Sequence, residues 1–286
     1  MQKGKPVSYE SLLRSVGCVD HIPADGSIHR FKIEGRGKRN GWAVLHQHGD
    51  AIFGAAGNWA TGDRISIKHG NVDRQVMAAT IAKVEKRNKV SAANAQIEAG
   101  KRWSRAGEAG YSRYLSEKKQ VKAFGLRFES AKGYGIAETI LIPMSDSDGG
   151  LHGLQSITPD GSKLFTKGCA KRGKFHRIPG KTAIIIAEGY ATAASIHMAT
   201  GFTTIVAFDA GNLLPVALEI WRRNKTPLDG RVIIAADGDK VGIEQAQRAA
   251  GAIGALMIAA PEGRDFNDVH VEEGLPAVSA LIYSRL

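Results

Sequence analysis

Residues 181–208 read KTAIIIAEGYATAASIHMATGFTTIVAF, and residues 231–239 read RVIIAADGD. Ala183–Ala187 is a short, wholly apolar run rich in β-branched residues, the composition of a strand buried on both faces. Gly189–Thr200 follows as a helix and stops at Gly201, a residue suited to a helix C-terminus. The alternation continues: strand Thr203–Phe208, helix Leu213–Arg223, strand Arg231–Ala236, helix Val241–Ile253 ended by Gly254, and strand Leu256–Ala259. Apolar strands alternating with amphipathic helices predict an α/β fold, a parallel sheet flanked by helices.

Ligands of open α/β sheets bind beyond the carboxyl ends of the strands. The first strand here ends in Glu188-Gly189 and the third in Asp237-Gly238-Asp239. After the fourth comes Gly263-Arg264-Asp265-Phe266-Asn267-Asp268. Acids gathered at one rim repel one another, and a hard cation such as Mg2+ (or Mn2+) keeps them ionised. The two-residue period of a strand points Asp237 and Asp239 to one side, and Gly238 is expected to leave room for a phosphate or a metal-bound water. If the first and third strands are neighbours, about 4.8 Å apart, Glu188 faces that pair. Taken singly, any of these acids also reads as a helix cap.

A hydrophobic strand followed by Glu-Gly, and later one followed by Asp-x-Asp, resembles the Toprim domain. That domain is shared by DnaG-type primases, type IA and II topoisomerases and some repair nucleases. The resemblance covers roughly residues 181–272. It implies catalytic and metal-binding roles for Glu188 in IIIAEGYATAAS and for Asp237 and Asp239 in IIAADGDKVG. GRDFNDV is similar to the segment that closes the metal site in primases, which adds Asp265 and Asp268 to the ligand set. Upstream, FGLR at 124–127 and ILIPMSDSDGGLHGLQSITPDGSKLFTKG at 140–168 are similar to the N-terminal subdomain of the DnaG-type core. Ser162–Ala187 contains no acid but carries Lys181 and, before it, Lys163, Lys167, Lys171, Arg172, Lys174 and Arg177. The residues before Lys181, with Lys240 after the Asp-x-Asp, are expected to hold template and triphosphate.

The rest of the chain divides by composition. Residues 1–71 hold a short helix (Ser8–Val16) and a β-rich module, with HRFKI, GWAVLHQ, AIFGAA and DRISI as short runs between turn residues. Residues 72–120 form a helical linker, with one helical stretch up to Gly100 and another from Lys101 to Lys119. Residues 121–180 return to strands and turns, with turns at Asp148–Gly150 and Pro159–Gly161, and the resemblance makes them a primase-core N-terminal subdomain with a basic hairpin. It makes residues 181–286 the Toprim domain. The N-terminal module occupies the zinc-ribbon position of small plasmid- and phage-type primases. It has no cysteine between Cys18 and Cys169, and His29, His46 and His48 lack ligand spacing, so no zinc is expected. Trp42, Phe53 and Trp59 among cations including Arg36, Lys38 and Arg39 suit single-strand stacking or a small core equally. Arg36, Lys38, Arg39 and Trp42 are the candidate ssDNA contacts.

The net charge of +11 over 286 residues, with 28 acids against 39 Lys and Arg, favours a polyanionic partner. There is no apolar run of membrane-spanning length and no secretory h-region, so a cytoplasmic location is expected, with no membrane partner. The resemblance implies metal-dependent nucleotidyl transfer: primer synthesis on single-stranded DNA from nucleoside triphosphates, with unwinding left to a separate replicative helicase. A Toprim-type nuclease and a non-catalytic single-strand-binding accessory protein are the alternatives. A topoisomerase needs a tyrosine nucleophile on a further domain, beyond what this length supplies. A haloacid-dehalogenase-type phosphatase places its Asp-x-Asp on the first strand, whereas here it follows the third. Gly180-Lys181-Thr182 leads into a strand, where a P-loop follows one.

Overall fold

A computed structural model describes residues 8–18, 20–33, 39–59, 62–224 and 232–286. The chain divides into two compact units, one up to Arg87 and one from Asn88.

The first unit opens with α1 (Tyr9–Arg14), where the Ser8 hydroxyl accepts from the Ser11 amide at 3.2 Å and caps the helix. A four-stranded antiparallel meander follows: β1 (Asp25–Phe31), β2 (Gly41–His48), β3 (Ala51–Asn58) and β4 (Arg64–His69), paired in that order. Alternation sends Phe31, Ala43, Leu45, Ala56 and Ile67 to the inner face, where they pack with Leu13 and Cys18. The four strands fall on the four runs read from sequence. Of the candidate single-strand contacts, Arg39 is exposed and Trp42 half-buried, whereas Arg36 and Lys38 lie outside the described residues.

α2 (Arg74–Arg105) contains the boundary between the units, and it corrects the sequence reading. The helix does not break at Gly100 and resume. It runs through that glycine and ends at Arg105. A helical glycine costs about 1 kcal/mol relative to alanine. Here Ala99, directly before it, is buried against Leu141, Leu154 and Trp103 and carries the helix past it. The rest of the expected second helix is a bend and one π-helical turn, Tyr114–Lys119.

The second unit contains two sheets. β5 (Arg127–Ser130), β6 (Glu138–Ser145), β7 (Leu151–Ile157) and β8 (Lys163–Phe165) form an antiparallel sheet in that order. β9 (His176–Ile178), β10 (Lys181–Ala187), β11 (Phe202–Val206), β12 (Val232–Ala236) and β13 (Leu256–Ala259) form the other, in the order β13-β12-β10-β11-β9. Its first four members are mutually parallel, as expected, and β10 and β12 are neighbours with Ala187 opposite Ala235. β9 runs antiparallel on the edge, too short for its apolar pattern to stand out in sequence.

α3 (Tyr190–Thr200), α4 (Leu213–Asn224) and α5 (Lys240–Ile253) are the crossovers. α6 (Phe266–Glu273) and α7 (Leu275–Tyr283) close the chain beyond the last element read from sequence. α3, α6 and α7 cover one face of the parallel sheet in a core that continues to Phe128, Ile140 and Ile142 of the antiparallel sheet. α4 and α5 cover the other face through Val216, Ile220, Ala246 and Ala249.

Candidate active site

The carboxyl ends of β10, β11 and β12 lie side by side, and each is followed by an acid. Glu188 follows β10, Asp237 follows β12, and Asp209 follows β11. Like charge acts between Glu188 and Asp209, Glu188 and Asp239, and Asp237 and both Glu188 and Asp265. Burial first, and then these neighbours, push the Glu188 carboxyl up to about 7 and the Asp237 carboxyl to about 8. Among the described residues the buried Asp237 Oδ1 has no hydrogen-bond partner, an uncommon state for a buried polar atom.

Two of the acids carry local duties. Asp239 caps α5, accepting from the Gly242 amide at 2.7 Å. Asp265 and Asp268 form a capping box on α6: Asp265 Oδ1 accepts from the amides of Asn267 and Asp268, and Asp268 Oδ2 from that of Asp265. Gly238 corrects the sequence reading. A Cβ there would stand 2.0 Å from the Pro261 carbonyl oxygen, so the missing side chain admits the 261–264 turn and not a ligand. The Gly238 amide donates to Arg264 O at 2.8 Å, which ties the end of β12 to the turn before α6.

The basic residues separate by position. Lys163, at the start of β8, acts on both Glu188 and Asp237 and lowers both. Lys171 pairs its ammonium with Asp209 and lies 5.0 Å over the Phe165 ring. Lys174 faces Asp146 at 3.9 Å, and Lys240 faces Glu244 one turn along α5 at 4.0 Å. Lys167, Arg172 and Arg177 are exposed, the last on the edge strand β9. The structure thus brings Lys163 and Lys171 to the carboxylate rim and gives Lys174 and Lys240 partners elsewhere.

The family model of the Toprim domain matches residues 183–275, a span that contains this rim and every acid in it. Residues 183–275 are a Toprim domain. The chain is also homologous to two Escherichia coli proteins named DNA primase TraC. One is 32% identical over 284 residues, covering 87% of this chain and 26% of that protein. The other is 31% identical over 266 residues, covering 84% and 18%. The chain thus spans about a quarter or less of the length of these curated relatives. The primase fragment of the bacteriophage T7 primase-helicase aligns at a TM-score of 0.45 and 12% identity, over 63% of this chain and 81% of that one.

Within the Toprim domain, sequence reading missed Asp209 although it occupies the same kind of place as Glu188 and Asp237. The signal was present, because the β11 run ends AFDAG. Phe208 before it has φ +75, unusual for a bulky residue, and turns the chain sharply at the strand end. Asn212 was missed too. Its Oδ1 accepts from the Gly173 amide at 2.8 Å, and its Nδ2 donates to Lys174 O at 3.0 Å and Ala207 O at 2.8 Å. It fastens the loop bearing Lys171 to the rim. Tyr190, directly after Glu188-Gly189, donates to Lys122 O at 2.8 Å and accepts from the Phe124 amide at 2.7 Å.

Among the described residues no group of three or more His, Cys, Asp or Glu side chains is arranged to hold a metal ion as it stands. The chemistry of the rim nevertheless fits a hard divalent ion: acid oxygens, one of them buried and without a partner among the described residues, and two carboxyls pushed upward by burial and by one another despite Lys163. Glu188, Asp237 and Asp239 would hold Mg2+ or Mn2+, with Asp265 and Asp268 beyond them.

Proposed function

We propose that this chain is a primase-type nucleotidyltransferase that makes short oligonucleotides on single-stranded DNA from nucleoside triphosphates. The observation that carries the reading is the pair Glu188 and Asp237, two carboxyls at the ends of adjacent parallel strands, both within the field of the Lys163 charge. Homology to DNA primase TraC over most of the chain supports it. A bound divalent ion supplies charge neutralisation and orientation of phosphate oxygens at such a site.

The chain's own residues do the rest. Asp237 and Asp239 bind the ion, and Glu188 either joins them as a ligand or takes the proton from an attacking hydroxyl. Lys163 meets triphosphate oxygens beside them. Lys171, held through Asp209 and Asn212, gives a second cation at the rim. Lys167, Arg172 and Arg177 track the template backbone, and Lys174 and Lys240 join them by exchanging a carboxylate for a phosphate. We assign the chain to the cytoplasm, working with a separate replicative helicase. Its parts are the β module 1–71, a linker 72–120, a core subdomain 121–180 and the Toprim domain with its tail.

The test is template-dependent synthesis with labelled triphosphates, Mg2+ or Mn2+ and single-stranded DNA. New oligomers from the wild type and none from Asp237→Asn or Glu188→Gln support the reading. Shortening of the DNA without triphosphates would mean a nuclease, and synthesis by either variant at the wild-type rate would refute the assignment.

A further inference from the structure

The two sheets of the second unit join at one rung and then part. Ser145 of β6 and Phe175, the residue before β9, exchange both backbone hydrogen bonds, Ser145 N to Phe175 O at 2.9 Å and Phe175 N to Ser145 O at 3.0 Å. Successive backbone groups of an extended chain point to opposite sides. His176 therefore turns its amide and carbonyl to β11, where it stands opposite Val206, and Arg177 turns its own back toward β6. The next residue in antiparallel register on β6 is Pro143. It has no N–H, and no backbone hydrogen bond joins it to Arg177. Proline is tolerated in a sheet where its missing N–H would face a free edge, and at Pro143 that edge faces β9.

The gap so left is a cavity of about 680 Å3. Pro143 and Ser145 line it, as do Phe175 and Arg177, and Ile205 and Ile220 complete the wall beneath α4. Phe175, Ile205 and Ile220 belong to the core that α4 covers, so the floor is apolar. The cations in the wall are Arg177 and Arg223. Arg177 is exposed and pairs with no carboxylate among the described residues. Arg223 pairs with Asp148, an exposed acid in the turn between β6 and β7. The acid in the wall, Asp146, is already committed: its carboxylate accepts from the Asp148 and Gly150 amides and pairs with His152.

An occupant of this cleft has to bond the Arg177 amide and carbonyl, cover an apolar floor and meet a guanidinium. An extended peptide does all three. Its backbone continues the β9 edge, alternate side chains turn to the floor, and a carboxylate replaces that of Asp148 on Arg223. A nucleic-acid strand has phosphates for an arginine but no backbone that continues a β ladder.

We propose that the cleft between β6 and β9 docks an extended acidic peptide of a partner protein, added as a strand at Arg177 with a carboxylate on Arg223. Arg177 enters through its main chain, which leaves its guanidinium to the template. None of the rim acids lines the cleft, so the site stands apart from the chemistry at Glu188.

Fluorescence anisotropy of the full-length protein tests this with a fluorescein-labelled peptide of about six residues alternating glutamate and valine, the length of an ordinary strand. Saturable binding is expected. The same peptide with its amides N-methylated cannot pair with a strand edge and should bind about tenfold more weakly, and a peptide alternating lysine and valine should not bind. Arg223→Glu should weaken the glutamate peptide about tenfold. Arg223 is exposed, and losing its surface pair costs the fold little. That variant should make primers at the wild-type rate, and Asp237→Asn should bind the peptide as the wild type does, so failure here and failure of the proposed activity are separable. Absence of binding, equal binding of the N-methylated peptide, or undiminished binding by Arg223→Glu would overturn the proposal. So would a matching loss of oligo-dT binding in Arg223→Glu, the outcome if the cleft is part of the template path.

Discussion

Asp239 Oδ1 accepts a 2.7 Å hydrogen bond from the amide of Gly242, so one residue both caps α5 and stands on the carboxylate rim. The two duties separate by substitution. Asp239→Asn keeps a capping oxygen and should hold thermal stability close to wild type while losing the rise in Tm that Mg2+ gives. Asp239→Ala should lose both, with about 1 kcal/mol of stability gone in urea unfolding.

Glu188 and Asp237 set a pH dependence with a definite sign. Their ordinary values are 4.5 and 3.8, and in the folded chain they rise to about 7 and about 8. Between those limits the folded state holds protons that the unfolded state has released, so metal-free stability falls as pH rises from roughly 4.5 to 8. Tm measured across that window should decline without metal and flatten with Mg2+. A rise in the metal-free protein would contradict the burial of the two carboxyls.

Asn212 is 3% exposed and links Ala207, Gly173 and Lys174. Asn212→Ala strands a buried amide and two carbonyls, a loss of roughly 2–3 kcal/mol. Urea denaturation reads that loss. Limited proteolysis should cut the 171–174 loop faster in the variant than in the wild type.

Lys163 lowers both enclosed carboxyls. Lys163→Ala should therefore move the pH midpoint of the metal-free Tm decline upward and raise the apparent KM for triphosphate about tenfold, about 1.4 kcal/mol. Lys163→Arg should restore the midpoint, since charge is what the carboxyls sense.

The strand-and-helix alternation from Ala183 to Ala259 was legible because strands buried on both faces read as unbroken apolar runs, bounded here by Gly201 and Gly254 at helix ends. The adjacency of β10 and β12 was only a condition in sequence, since pairing order is a tertiary fact. Asp209 escaped because β11 ends in a turn through Phe208 and not in a recognised motif. Gly238 was misread because its neighbour is the Pro261 carbonyl, which is distant in sequence. Gly100 looked like a helix stop because the burial of Ala99 against Leu141 and Leu154 is invisible to a local reading.

The central claim is that Glu188, Asp237 and Asp239 together bind a divalent ion. Mn2+ titration followed by electron paramagnetic resonance, on full-length protein without nucleotide, tests it directly. The account predicts saturable binding by the wild type and affinity about tenfold weaker or worse in Glu188→Gln and Asp237→Asn, with unchanged circular dichroism. Undiminished Mn2+ binding by both folded variants would contradict it.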